Sequence, residues 1–204
     1  MKRQKRNAVT SKQEILEKSA PVFNTYGYAG TSMKMLVEAT GFQMGGIYRH
    51  FNSKSELGLA VFTYNYETLL KRNLDFPLQL DPREKLLYIL DRYRKMFFNP
   101  AFRSGCPILN TAVEVDDTNE EYRLLAKSFI QEILTILTET LEEGKKKGLF
   151  LPSLDSHKEA LFLFSSFEGA IFIGKAMKKP QAYFDVLDRL EDYLRKQIFS
   201  SISS

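Results

Sequence analysis

Tryptophan is absent from the sequence, cysteine occurs once and histidine twice. A single cysteine excludes an intramolecular disulfide framework and a four-cysteine zinc site, and it fits a reducing compartment, the cytoplasm. His50 and His157 lie far apart in sequence with no acidic or cysteine cluster beside them, so neither a metal ion nor a cofactor is expected. No run reaches the ~18 apolar residues of a membrane span. The nearest approach, EALFLFSSFEGAIFIGKAM, is interrupted by Glu168 and small polar residues. The N-terminal stretch MKRQKRNAVTSKQEI is basic but lacks the apolar segment of a signal peptide. There is no sustained period-2 alternation, no internal repeat and no low-complexity segment, which leaves helices as the building material. Catalytic signals are equally scarce. No Ser-His-Asp or Cys-His arrangement and no phosphate loop can be placed, and Cys106 has no basic partner near it in sequence.

What is present is a chain of 204 residues, 44% hydrophobic and 26% charged, long enough to bury a substantial core. It is rich in Phe (16) and Tyr (10), so something apolar must be filled or lined. Net charge is only +4, but its distribution is uneven: to residue 60 there are nine Lys/Arg against four Glu, a net +5 that leaves −1 for the rest. A basic head on a nearly neutral body is the electrostatic footprint of nucleic-acid binding, although a solvated charged tail gives the same count.

Capping signals divide the chain into helices. Ser11 with Glu14 reads as a capping box opening a helix that Gly27 stops. Thr31 starts a short second helix ending at Thr40 and Gly41, and a third runs from about Gln43 to His50. Ser53 with Glu56 opens a longer helix through Leu69. Asp81, Pro82 and Glu84 supply a cap, a first-turn proline and an acidic N3 for a helix ending near Asn99 and Pro100. A shorter segment spans Cys106 to Val115. Asn119 to Lys147 forms one long helix, with Lys145, Lys146 and Lys147 suiting the negative end of its dipole and Gly148 a left-handed cap. Ser156 with Glu159 opens a helix to about Met177, and a last one runs from about Gln181 to Phe199. The fold class expected is all-α: three short helices, then a bundle of longer ones. The boundary is expected at 52/53.

The stretch TGFQMGGIYRHFNSKSEL, residues 40–57, describes two short helices joined by a tight turn, a helix-turn-helix. Leu36, Phe42, Ile47 and Phe51 can form the core beneath it, leaving Gln43, Met44, Arg49 and His50 outward. Glycine in a helix costs ~1 kcal/mol relative to Ala. Gly45 and Gly46 either belong to a loop or trade that stability for close approach of backbone amides to phosphate or a groove wall.

Residues 11–60 resemble the DNA-binding domain of the TetR family of transcriptional regulators, with ILEKSAPVFNTYGYAGTSMKMLVEATGF matching its first two helices and GGIYRHFNSKSEL its recognition helix and the next helix start. Gly45, Tyr48, His50, Phe51, Lys54 and Leu57 fall where the family pattern has them. The resemblance implies a homodimeric regulator, usually a repressor, that binds an inverted-repeat operator in double-stranded DNA and is released by a small-molecule effector. It also implies phosphate grips at Thr31, Tyr48, His50 and Lys54, with Gln43, Met44 and Arg49 near base edges. Arg49 suits either a guanine or a phosphate. Gly46 stands where many members have Ser or Thr, and Gln43 replaces a common Ser cap. Affinity is therefore expected to lean on Lys54 and on the basic arm KRQKR.

In the body, the helix over 156–177 is apolar on nearly every side, and Phe184, Leu187, Leu194 and Ile198 give the terminal helix a companion stripe. A second copy of the chain would cover both, and Gly169 would permit a close crossing. A buried central helix in a monomer is the alternative. Among the aromatics, Phe97, Phe98, Phe102, Phe129 and Phe167 are candidates to line an effector cavity. Cys106, Asn110 and Glu114 share one helix face that would supply the cavity's polar groups if it looks inward. The segment GCPILNTAVE bears a faint likeness to the ligand domain of one TetR subgroup. An all-α enzyme using the same cavity is the competing reading, and a protein-binding scaffold a third.

Overall fold

The computed structural model describes residues 8–115 and 118–199. The basic arm at residues 2–6 lies outside them. The described residues are all-α: α1 Ala8–Gly30, α2 Met33–Thr40, α3 Met44–Tyr48, α4 Lys54–Asn65, α5 Arg72–Leu74, α6 Pro82–Met96, α7 Pro107–Val115, α8 Glu120–Lys146, α9 Ser156–Ala176 and α10 Pro180–Tyr193. Among them the only β pairing is an isolated bridge between Phe150 and Phe199.

Most helix starts follow the capping chemistry. The Asp81 carboxylate accepts from the Glu84 amide at 2.9 Å while the Glu84 carboxylate accepts from the Asp81 amide at 2.8 Å, closing the capping box in front of Pro82. Ser53 accepts from the Glu56 amide at 3.0 Å, but the Glu56 side chain reaches one residue further back, to the Asn52 amide at 2.7 Å. Four expectations shift. α1 is already helical at Ala8, so Ser11 and Glu14 sit within it instead of capping it. α2 is capped by Ser32, not Thr31. α9 is capped by Asp155, whose carboxylate accepts from the Lys158 amide at 3.2 Å, while the Ser156 hydroxyl donates to Glu142 at 2.5 Å. The helix expected to run from Ser53 through Leu69 is interrupted by a π turn, Tyr66–Lys71, before α5.

The fold divides into two compact units: the described parts of Met1–Thr68 with Pro107–Ala126, and of Leu69–Cys106 with Lys127–Ser204. A single cut at 52/53 does not describe this division, because 53–68 and the whole of α7 pack with the N-terminal helices. The first unit has its own core of Ile15, Ala20, Phe23, Leu36, Ile47, Phe51, Leu57 and Val61, with Phe42 partly buried against it. In the second unit, α9 buries Leu163, Phe164, Phe167 and Ile171, and α10 buries Tyr183, Leu187 and Leu190. Leu187, Leu194 and Ile198 are almost wholly buried within the subunit, so the stripe expected to face a partner is internal. On α9 and just beyond it, the apolar residues left outside are Leu161, Phe162, Phe172, Ile173 and Met177.

Candidate nucleic-acid interface and effector cavity

The helix-turn-helix is set by two left-handed glycines. Gly27 (φ 71°, ψ 178°) breaks α1, and Gly41 (φ 72°, ψ 8°) caps α2, its amide returning to the Val37 carbonyl at 2.9 Å. At the turn, the Thr40 hydroxyl donates to the Leu36 carbonyl at 2.6 Å and accepts from the Phe42 amide at 3.2 Å, which brings the chain around into α3. Ile47 and Phe51 then anchor α3 on the core at 1% exposure each, fixing which face of this five-residue helix looks out.

That outward face is the one expected. Gln43, Met44, Gly45, Tyr48 and Arg49 are exposed, and Gly46 and His50 half-buried. The Arg49 guanidinium has no ion pair or hydrogen bond among the described residues. Among the described residues, a Cβ built on Gly45 meets nothing within 4 Å, and one on Gly46 comes no closer than 3.5 Å to Phe42, an ordinary contact. Neither position has a left-handed backbone. The protein's own packing therefore requires glycine at neither place.

Two of the expected phosphate grips are tied inward. Thr31 is 1% exposed, and its hydroxyl donates to the Gly27 carbonyl at 2.6 Å, so burial removes this side chain from the outer face. Lys54, at the start of α4, is half-buried with its ammonium 4.5 Å from the centre of the Tyr28 ring. Desolvation lowers its pKa, and the nearby Glu114 carboxylate works against that shift.

The face shared by Asn110 and Glu114 also looks inward, but toward the N-terminal helices. Asn110 donates to the Asn24 side-chain oxygen at 3.1 Å and to its carbonyl at 3.4 Å. Glu114 accepts from the Tyr28 amide at 2.8 Å and from the Ala29 amide at 2.7 Å. Both belong to the first unit, which removes them from the cavity described next.

That cavity lies in the second unit. Its volume is about 460 Å³, and Phe97, Phe102, Ile171 and Tyr183 line it together with Gly105, Gly174, Pro180 and the exposed cations Arg103, Lys175 and Lys178. This size falls in the range of small-molecule sites. Of the expected lining residues, Phe97 and Phe102 are there. Phe98 is 73% exposed beside Phe97 and Phe184, Phe167 stacks on Tyr93 with ring centres 4.0 Å apart, and Phe129 is core. Cys106 is buried next to Glu168, whose carboxylate oxygens are shut away from solvent. Burial raises Glu168 to about 7, with the Cys106 thiol pulling in the opposite direction. Tyr183 and Ile171 were missed as lining residues. Ile171 reads only as one apolar position of the 156–177 helix and Tyr183 carries no signal of its own; the crossing of α9 with α10, close enough at Gly174 to bring a Cβ within 2.8 Å of that of Tyr183, makes them a wall.

Among the described residues no group of three or more His, Cys, Asp or Glu is arranged to hold a metal ion, and no helix is long and apolar enough to cross a membrane.

Residues 15–61 match the family model for bacterial regulatory proteins of the tetR family, and residues 82–190 that for the tetracyclin repressor-like C-terminal domain. A TetR transcriptional regulator from Chloroflexus aurantiacus superposes with a TM-score of 0.87 at 30% identity, covering 95% of this chain and 98% of that one. The regulator TtgR of Pseudomonas putida is 27% identical over 84% of this chain and 83% of its own. The repressor DhaR of a Mycobacterium species is 26% identical over 78% of this chain and 80% of its own. With an exposed α3 on an N-terminal helix-turn-helix and both halves matched, the chain belongs to the TetR family: it is a DNA-binding transcriptional regulator, not an enzyme.

Proposed function

We propose that the protein is a homodimeric repressor of the bacterial cytoplasm that binds an inverted-repeat operator and is released when a small apolar or aromatic effector enters the second unit. The observation that carries the DNA-reading part is the pair Gly45 and Gly46. Their missing side chains serve no internal contact, so the surface they bare is for something outside the molecule, and backbone amides at the start of α3 are suited to phosphate. Gln43, Met44 and Arg49 reach base edges from the exposed face. Tyr48, His50 and Lys54 flank them toward the backbone, and Thr31 supports the approach from inside.

The dimer follows from α9. Leu161, Phe162, Phe172 and Ile173 are exposed on a helix whose other side is already buried, and an apolar surface of this kind calls for cover. Gly169 lies among them with nothing within 4 Å of a built Cβ, room for a partner helix. Asp185, Val186, Arg189 and Tyr193 of α10 edge, with Phe162 and Ser166 of α9, a groove of about 300 Å³. A two-fold pair presents two copies of α3, and reading a palindrome requires them about 34 Å apart or a multiple of that. The cavity lined by Phe97, Phe102 and Tyr183 is the effector site.

A gel-shift titration at two salt concentrations tests the interface. Lys54→Ala is expected to weaken binding and to flatten the salt slope by ~1.8, the loss of one phosphate contact in each of the two subunits. An unchanged slope removes Lys54 from the contacts.

A further inference from the structure

We infer that Glu114 is a positioning residue for DNA recognition: from α7 it holds the end of α1, and with it the aim of the helix-turn-helix, without itself touching DNA. The inference rests on the DNA-binding reading of α3. At Gly27 the left-handed backbone breaks α1, and the two residues that follow present their amides to one carboxylate: Tyr28 donates to Oε2 and Ala29 to Oε1. Hydrogen bonds to a charged acceptor are the stronger kind, and two consecutive amides on one carboxylate fix both its position and its plane. The other side of the break is tied as well, by the Thr31 hydroxyl on the Gly27 carbonyl. The next residue, Ser32, caps α2. The segment that sets the direction of α2 and α3 is thus held through its amides by α7 and through its carbonyl by its own threonine.

Three further contacts make the grip specific to this geometry. One helical turn before Glu114, Asn110 holds Asn24, so α7 grasps α1 on both sides of the break. The Tyr28 ring meets both the Lys54 ammonium, 4.5 Å from its centre, and the Tyr122 ring, 5.0 Å away between centres, so the residue whose amide Glu114 holds is also fixed by its side chain. Finally, a Cβ at Gly27 would overlap the Glu114 carboxylate. The apolar core of the head, built on Ile15, Leu36, Ile47, Phe51 and Leu57, does not include Glu114. Its loss is therefore expected to leave the head folded but misdirected.

The test begins with the wild-type chain. Hydrogen exchange over residues 24–32 is expected to show protected Tyr28 and Ala29 amides; exchange at the rate of an open loop overturns the inference whether or not DNA is bound. Affinity is then measured for a duplex selected from random sequence with the wild-type chain. Glu114→Ala is expected to lower it about tenfold, the equivalent of one lost charge-assisted hydrogen bond, with the protection gone and the salt slope no shallower. Glu114→Gln, which keeps one acceptor oxygen, is expected to fall between the two and stands in if the alanine variant does not fold. Gly27→Ala is expected to weaken binding in the wild-type background and to do so less in Glu114→Ala. Unchanged affinity, a shallower salt slope, or losses that simply add would each defeat the assignment. Failure to select any duplex would count against the DNA-binding reading, leaving the exchange measurement to judge Glu114.

Discussion

Replacing Gly45 with alanine is expected to make the protein more stable and a poorer DNA binder. Gly45 is the second residue of α3, its backbone is not left-handed, and an added methyl would meet nothing within 4 Å. The substitution thus carries no strain, and restricting the unfolded chain stabilises by about 0.4–1 kcal/mol. For a chain of this length that corresponds to a rise in Tm of about 1–4 °C. On the DNA the same methyl stands where backbone amides approach phosphate or the groove wall, and losing one such charge-assisted hydrogen bond costs about 1.5–3 kcal/mol. The substitution sits in both subunits of the dimer, so affinity is expected to fall by roughly two to four orders of magnitude. Thermal unfolding and fluorescence-anisotropy titration on the same preparation read the two effects separately. Higher stability with undiminished affinity would refute the reasoning, since the glycine would then serve neither the fold nor the DNA; lower stability would show a contact inside the protein that the structure does not contain.

Two further outcomes follow from the second unit. Glu168 is raised from 4.5 to about 7 by burial, so the folded state favours the protonated acid. Stability is then fully supported below the unfolded value and lost as pH rises toward 7. At about 1.4 kcal/mol per unit the penalty at pH 8 is about 3 kcal/mol. Glu168→Gln is therefore expected to raise Tm at pH 8 and to leave it nearly unchanged at pH 4.5, and an equal gain at both would contradict the burial argument. Phe172, 61% exposed on the outer face of α9, is the position for testing the dimer. Phe172→Arg is expected to shift sedimentation at micromolar concentration from dimer to monomer with little change in monomer folding, and a wild-type chain that is already monomeric would remove the proposed interface.

The helical plan was readable because its punctuation is local. Asp81 with Pro82 and Glu84, Ser53 with Glu56, and the left-handed Gly27, Gly41 and Gly148 each act on neighbours within a turn, and their chemistry does not depend on the rest of the fold. The cap of α9 was misread for a related reason. Asp155 and Ser156 are adjacent and equally able to cap, and the choice is made by Glu142, which takes the Ser156 hydroxyl. The outward face of α3 was legible as well, since Ile47 and Phe51 could only be core.

What could not be read is which neighbour a face meets. The spacing of Asn110 and Glu114 puts them on one side of α7, but that this side grips α1 depends on packing between segments 86 residues apart. Likewise Leu187, Leu194 and Ile198 were visible as a stripe, yet all three are buried within the subunit, and the exposed apolar side chains of this region are Leu161, Phe162, Phe172 and Ile173 on α9. The cavity wall has the same character. Tyr183 and Ile171 become lining residues only because two helices cross closely at Gly174.

The central claim is that α3 reads DNA from a two-fold pair, and selection of binding sites from a random duplex pool with the purified protein tests it most directly. The expected result is an enriched inverted repeat whose half-sites are centred about one helical turn apart or a multiple of it, lost when Arg49 and Gln43 are both replaced by alanine. Enrichment of no sequence at low salt, or of a motif without two-fold symmetry, would contradict it.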